Sequence, residues 1–316
     1  MTTPGSTEWD RRIADAAVVV GGHLAPTPLV PITLDGFAAP TYLKLETLQP
    51  TGSFKVRGAL AAVAASAADG RRVVTASAGN HGLGIAYAAT RMGARATVVV
   101  PQTASPAKVE ALRRFDIDLR LIGDGYDGAE SAAQKIAYED GARYISAYTD
   151  PDVIAGQATV VREIADALPG PAQIVVPVGG GGLVSGTVLG VPDRYRVLGV
   201  ESAASLAVSA SMAAGRIVQV PVGSTIADGL AGNIAPDTLA PSILTAAGVD
   251  VIAADELAIE RAVTALAIDH GIVCEGSGAV GIAAAMNALM PTDLPTVFVI
   301  TGRNITGPRL AALLVP

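Results

Sequence analysis

The stretch Thr51-Gly52-Ser53-Phe54-Lys55-Val56-Arg57-Gly58-Ala59 places a lone lysine between a Gly-Ser turn and an apolar run with helical spacing. A surface lysine needs no such setting. An amine held there is placed to react with an aldehyde. If Lys55 carries a cofactor as a Schiff base, the rest of the chain has to supply a cradle for a phosphate and a partner for the cofactor ring.

The cradle is read in Pro177-Val178-Gly179-Gly180-Gly181-Gly182-Leu183. The glycines follow a buried-strand pattern and precede an apolar helical segment. Their N–H groups can converge on an anion, and a helix N-terminus adds positive partial charge. The spacing is not that of the dinucleotide fingerprint, and no Lys-Ser/Thr follows as in a Walker loop. A mere turn would not need four glycines, each of which costs conformational entropy, so the phosphate reading is preferred.

Ser77-Ala78-Gly79-Asn80-His81-Gly82 directly follows the strand-like 73–76. A hydroxyl, an amide and an imidazole meet at a strand C-terminus, where α/β sheets bind ligands. Ser77 and the N–H groups there can hold a carboxylate; capping of the next helix by Ser77 or Asn80 is the other reading, though His81 is surplus to a cap. Ile300-Thr301-Gly302-Arg303-Asn304 ends the last strand. Thr301 can offer a hydroxyl to a ring nitrogen, but on the residues alone an ordinary strand-ending turn explains it. Cys274 reads as a small buried hydrophobe, and His23 and His270 receive no role. Glu275 either supports catalysis from behind the site or caps the following helix.

Composition bounds these readings. The chain has 316 residues, half of them hydrophobic and 16% charged, enough for two domains with sizeable cores. A net charge of -7 argues against nucleic acid. No apolar run reaches membrane-spanning length, the start is unlike a signal peptide, one cysteine excludes an internal disulfide, and no His/Cys cluster has metal spacing. A soluble cytoplasmic protein is expected. Strands are predicted over 42–45, 73–76, 96–100, 119–122, 174–178, 196–200, 250–253 and 297–301. Helices are predicted within 1–40, before a Pro-punctuated loop, and over 54–68, 81–92, 106–115, 129–139, 156–168, 255–269 and 279–289. The alternation indicates βαβ units and parallel sheets, with 72–146 as a compact α/β subdomain.

Taken together, these motifs resemble the pyridoxal-phosphate enzymes of fold type II, closest to the serine/threonine dehydratases (threonine deaminases) and serine racemases. The shared order runs from Lys44-Leu45-Glu46 and Gln49-Pro50-Thr51-Gly52-Ser53-Phe54-Lys55 through Ser77 to His81, Asp150-Pro151 and Ala155-Gly156-Gln157. It continues through the glycine loop, Gly199-Val200-Glu201 and Thr225-Ile226-Ala227-Asp228-Gly229 to Thr301-Gly302-Arg303-Asn304. The resemblance implies a tryptophan synthase β-like fold of two α/β domains with parallel-rich twisted sheets and pyridoxal 5'-phosphate in the cleft between them. A large domain would take 1–71 and 147–316, and a small one 72–146. Lys55 would bind the cofactor, Phe54 pack beside its ring and Asn80 bond its phenolic oxygen. Gly179, Gly180, Gly181 and Gly182 would cradle its phosphate, and Thr301 face the ring nitrogen. Ser77, Gly79, Asn80 and His81 would surround the substrate carboxylate.

The implied activity is elimination of water and ammonia from a β-hydroxy amino acid such as L-threonine or L-serine, with the freed Lys55 as base. Larger substrates (hydroxyectoine-derived, hydroxyaspartate or phenylserine type) and a β- or γ-replacement activity of the cysteine/threonine synthase kind are the alternatives. A non-catalytic cofactor-binding protein is disfavoured by the intact Lys55, Asn80 and glycine loop. Family precedent implies a homodimer or homotetramer.

Departures from the pattern sharpen the expectation. Racemases of this group place a second serine where this chain has Ala78, so elimination is expected over racemisation. Some relatives bind a cation near the residue matching Glu201; a further carboxylate of that set corresponds to Ala207 here, so no strong divalent site is expected. Arg303 replaces a small glycine, a form that looks like the hydroxyectoine-utilisation branch. It is read as part of a structural salt bridge, with shaping of a pocket for a larger or acidic substrate as the alternative. The end at Pro316 leaves no room for a C-terminal regulatory domain, and feedback inhibition by isoleucine is not expected.

Overall fold

The computed structural model describes residues 6–315. The chain runs α1 (Ser6–Gly21), β1 (Leu29–Ile32), β2 (Thr41–Leu45), α2 (Lys55–Ala68), β3 (Val73–Ala76), α3 (Asn80–Met92), β4 (Ala96–Val100), α4 (Pro106–Arg113), β5 (Asp118–Leu121), α5 (Tyr126–Glu139), β6 (Arg143–Tyr144) and α6 (Pro151–Gln157). It continues α7 (Thr159–Ala167), β7 (Gln173–Pro177), α8 (Gly182–Gly190), β8 (Arg196–Ser202), α9 (Ala207–Ala214), α10 (Ala240–Ala246), β9 (Asp250–Ala254), α11 (Glu256–Ile268), α12 (Gly276–Met286), β10 (Thr296–Ile300) and α13 (Gly307–Leu314). Contacts divide it into two compact units. One holds Ala25–Phe54 and the chain from Val160; the other holds Lys55–Thr159 with α1.

In the first unit a six-stranded sheet has the order β1-β2-β10-β7-β8-β9, parallel except for the antiparallel edge strand β1. Every residue of β7 is buried, which is why its Ile174-Val175-Val176 reads as a continuous apolar run rather than an alternating one. Val175 packs with α11 and α12 through Val263 and Val280, whereas Ile174 and Val176 pack with α7 and α8 through Ile164 and Val184. Alternation along the strand thus gives the sheet a core on each face. Strand β1 lies in the stretch expected to be loop. Its Pro31 is tolerated because an edge strand has an unpaired side where the missing N–H costs no ladder bond.

In the second unit four parallel strands have the order β5-β4-β3-β6. The alanines of α5, Ala129, Ala133 and Ala137, cover Val74, Ala76 and Val99, while α2 and α3 cover Val73, Val98 and Val100. Helices α2 and α6 meet through glycines. A Cβ on Gly156 would lie 2.6 Å from the Cα of Gly58, and one on Gly58 would lie 2.7 Å from the Val153 carbonyl. The 72–146 segment contains this whole sheet, and the contacts gather α1, α2 and α6 with it.

The helix predicted over 156–168 is two helices. The first starts earlier, at Pro151, because the Asp150 carboxylate accepts the N–H groups of Asp152 at 2.9 Å and Val153 at 3.2 Å. The two-residue β6 is too short to show a period. Among the described residues, no helix is long and apolar enough to cross a membrane.

Candidate active site

Lys55 is the first residue of α2, half-buried, and its Nζ donates to the Ala147 carbonyl at 3.0 Å. That carbonyl belongs to the β6–α6 loop, whose Ile145 oxygen accepts the Thr75 hydroxyl at 2.8 Å and faces His81 Nε2 at 3.3 Å. The lysine, the end of β3 and the start of α3 therefore share one loop. Nothing in the sequence marked Ala147, because a backbone carbonyl carries no residue signature.

Ser77, Gly79, Asn80 and His81 fall at the C-terminal end of β3 and the first turn of α3. Ser77 Oγ accepts the Gly79 N–H at 3.2 Å, and Gly79 is the N-cap, with no side-chain cap bond. Neither Ser77 nor Asn80 thus caps the helix in the usual way, and the first-turn N–H groups of α3 have no partner within the helix. A Cβ on Gly82 would run into the Ser77 carbonyl, so this tight passage requires glycine.

His81 is buried and its pKa is held down to about 3. Burial is the main cause, and the positive charge of Lys55 adds to it; the Ile145 carbonyl works the other way. The imidazole is therefore neutral at ordinary pH. With Nε2–H assigned as donor to Ile145, Nδ1 is an acceptor with no partner among the described residues. An acceptor nitrogen suits a hydrogen-bond donor better than the carboxylate expected there.

In the other unit, Gly179, Gly180 and Gly181 form the turn after β7, and Gly182 starts α8. Gly181 has φ 87°, a left-handed conformation that favours glycine, and a Cβ on it would strike the Cβ of Ala240. A Cβ on Gly179 would lie 2.9 Å from the Gly229 carbonyl and 3.1 Å from Leu230 Cα. The backbone is pressed against these walls, and α8 has no side-chain cap, so a bound anion can satisfy its first N–H groups.

Thr301 follows β10, the neighbour of β7, so it lies at the same end of the sheet as the glycine turn. It is buried, and its hydroxyl has no hydrogen-bond partner among the described residues. A Cβ on Gly278 would lie 3.2 Å from that hydroxyl oxygen, so α12 begins directly against it. Phe54 donates its N–H to the Thr301 carbonyl at 3.0 Å.

Several motif residues turn out to hold the scaffold. Lys44 Nζ, on buried β2, pairs with Glu163 at 2.5 Å and donates to the Thr27 carbonyl at 2.8 Å. Glu46 accepts the Thr27 hydroxyl at 2.6 Å and the Gln49 amide at 3.1 Å. Together they fix the start of the loop that leads to Phe54. Asp150 pairs with Arg143 at 2.8 Å; burial pushes its carboxyl pKa up, and Arg143 opposes that.

Glu275 is the N-cap residue of α12 but makes no side-chain cap bond. Its N–H donates to the Gly302 carbonyl at 3.0 Å, and a Cβ on Gly302 would lie 2.7 Å from its carboxylate. The carboxylate thus lies under Gly302, next to Thr301. Cys274 is fully buried, and burial raises its thiol pKa, with Glu275 adding to the effect. Both Glu201 oxygens accept N–H groups of α9, from Val208 at 2.8 Å and Ser209 at 3.2 Å. Among the described residues, no group of three or more His, Cys, Asp or Glu could hold a metal ion. The structural salt bridge expected of Arg303 is not made: its exposed guanidinium has no ion pair among the described residues.

The chain is similar to known proteins in both sequence and structure. A profile of the family described as "Pyridoxal-phosphate dependent enzyme" matches residues 20–302. The L-threonine ammonia-lyase of Geobacter sulfurreducens is 39% identical over 273 residues, covering 84% of this chain and 67% of its own. Among solved structures, maize serine racemase superposes with a TM-score of 0.88 at 28% identity, covering 96% of this chain and 95% of that one. The processed form of threonine deaminase isoform 2 from Solanum lycopersicum gives 0.86 at 29%, covering 98% and 93%.

Proposed function

Because the chain belongs to the pyridoxal-phosphate dependent enzymes and has their fold type II architecture, we propose that it is an ammonia-lyase for β-hydroxy amino acids such as L-threonine and L-serine. The observation that carries this reading is the Lys55 amine, held by the Ala147 carbonyl beside an imidazole that burial keeps neutral. The names of the curated relatives, L-threonine ammonia-lyase and catabolic L-threonine dehydratase, support the substrate class.

The residues fit the cofactor. The crowded glycine turn at the head of α8 suits its phosphate, and the unpartnered Thr301 hydroxyl suits its ring nitrogen. When bound, pyridoxal phosphate supplies an aldehyde for the lysine and a conjugated ring that accepts the electron pair left on Cα. Phe54 would pack beside the ring, and Asn80 would bond the phenolic oxygen. Ser77 and the N–H groups of 79–80 orient the substrate carboxylate, which the positive end of α3 favours. Lys55 takes the Cα proton. His81 contributes an acceptor nitrogen rather than a second positive charge. Thr301 is neutral and cannot hold the ring nitrogen protonated as a carboxylate would, which favours expulsion of the β-hydroxyl. The Cα–H and Cβ–O bonds break and water leaves. The released enamine then takes water back to give a 2-keto acid and ammonia.

Ala78 offers no hydroxyl for returning a proton from the opposite side, which supports elimination over racemisation. The test is keto-acid release by purified holoenzyme over a panel of β-hydroxy amino acids, with D-serine measured in parallel. Pyruvate or 2-oxobutyrate should form, and Lys55→Ala should abolish it. D-serine forming faster than pyruvate, or turnover surviving in Lys55→Ala, refutes the reading.

A further inference from the structure

Arg303 combines a fixed backbone with a spare side chain. The Phe54 N–H donates to the Thr301 carbonyl at 3.0 Å, the Arg303 N–H donates to the Gly52 carbonyl at 2.9 Å, and Ser53 and Gly302 form an antiparallel bridge between them. This is a short antiparallel ladder in which Phe54 lies opposite Thr301 and Gly52 opposite Arg303. The Asn304 amide fastens the end of the segment by donating to the Thr51 carbonyl at 2.9 Å.

In such a ladder opposed residues share a face and successive residues alternate. Ser53 and Gly302 occupy one face, where a Cβ on Gly302 would lie 3.1 Å from Ser53 Cβ. Thr301, Phe54 and Arg303 occupy the other. Arg303 sits two residues beyond Thr301, about 7 Å along an extended chain. On the side of Gly52, opposite it, the Asn304 side chain fills the space that a Cβ would take. Among the described residues the guanidinium has no hydrogen-bond or ion-pair partner.

We propose that Arg303 binds an anionic group that the substrate carries beyond its β-carbon, so that β-hydroxy amino acids with a second carboxylate are the favoured class. This rests on the reading above of Thr301 and Phe54 as cofactor-facing residues. The glycine turn already serves the cofactor phosphate, and the head of α3 serves the substrate's α-carboxylate. A third anion is the group left for a guanidinium on the Thr301 face, and its planar fork matches a carboxylate with two parallel hydrogen bonds.

The experiment titrates holoenzyme with L-aspartate and with L-alanine, following the cofactor absorbance. Neither amino acid carries a β-hydroxyl, so affinity is read without turnover. Wild type should bind L-aspartate at least tenfold tighter than L-alanine. Arg303→Gly and Arg303→Leu should close the gap, and Arg303→Lys should retain part of it. In turnover, the kcat/KM ratio of β-hydroxyaspartate to L-serine should fall in Arg303→Gly, mainly through KM. Equal affinities in wild type, a gap that survives both substitutions, or no response to either amino acid overturns the proposal. If no panel member yields a keto acid, the ammonia-lyase reading falls while the aspartate titration still decides the role of Arg303.

Discussion

Replacing Gly181 by alanine tests the cradle by two separable effects. The first is backbone strain. Gly181 has φ 87°, and an L-residue in the left-handed region costs roughly 1–2 kcal/mol. The second is crowding. The new methyl would strike Ala240, and overpacking of this kind costs roughly 1–3 kcal/mol. Gly215, which ends α9, separates the two. Its φ is 62°, but a Cβ there meets nothing within 4 Å, so Gly215→Ala carries strain alone. The Gly181 variant should therefore lose roughly 2–5 kcal/mol and the Gly215 variant roughly 1–2 kcal/mol. At about 2–4 °C per kcal/mol, thermal unfolding of cofactor-free protein followed by circular dichroism resolves the difference. Titration with pyridoxal phosphate should then show weakened binding in Gly181→Ala and unchanged binding in Gly215→Ala. Equal losses of stability in the two variants would mean that the turn is not pressed against Ala240, and unchanged cofactor affinity in Gly181→Ala would remove the cradle.

Three further outcomes are expected. The folded-state pKa of His81, about 3, lies below the ordinary value of 6.5, so between these the unfolded chain binds the extra proton. Stability from this site is complete above pH 6.5 and falls as pH drops towards 3, by up to about 1.4 kcal/mol per pH unit; His81→Asn should flatten urea-unfolding free energy against pH by one proton, and an unchanged slope would show that the imidazole is solvated. Lys44→Ala removes the buried Lys44–Glu163 ion pair and the donor to the Thr27 carbonyl and should cost about 3–5 kcal/mol in denaturant unfolding, whereas a loss below 1 kcal/mol would make this an exposed-type pair. Glu201→Ala leaves the Val208 and Ser209 N–H groups without their acceptor and should cost about 1–3 kcal/mol, with addition of magnesium changing neither variant nor wild-type stability; a magnesium-dependent rise in wild type would contradict the capping role.

The legibility of this chain depended on where its chemistry is written. The β7 run Ile174-Val175-Val176 and the glycines after it announced a buried parallel strand ending in a tight turn, because both rest on residue type and spacing. Lys55 stood out by its setting, whereas Thr301 read on its residues alone as an ordinary strand-ending turn and took its role from the family resemblance. Hydrogen bonds to backbone left no such trace. The carbonyls of Ala147 and Ile145, which hold Lys55 and orient His81, could belong to any residue. Strand β1 was hidden because its proline argues for a loop until its edge position is known. The break between α6 and α7 was hidden because apolar periodicity continues across it.

His81 and Arg303 show how burial settles what residue type leaves open. As sequence, His81 was an imidazole expected beside the substrate carboxylate, and Arg303 a guanidinium expected in a salt bridge. Burial, with the positive charge of Lys55 adding to it, keeps the imidazole neutral and leaves it an acceptor nitrogen. Exposure preserves the charge of the second. Arg303 lies on a pinned ladder with no carboxylate of the described chain to neutralise it. His81 thus offers an acceptor nitrogen, and Arg303 a positive charge that no carboxylate of the described chain neutralises. On the proposal above, the preference between L-aspartate and L-alanine measures what that guanidinium recognises.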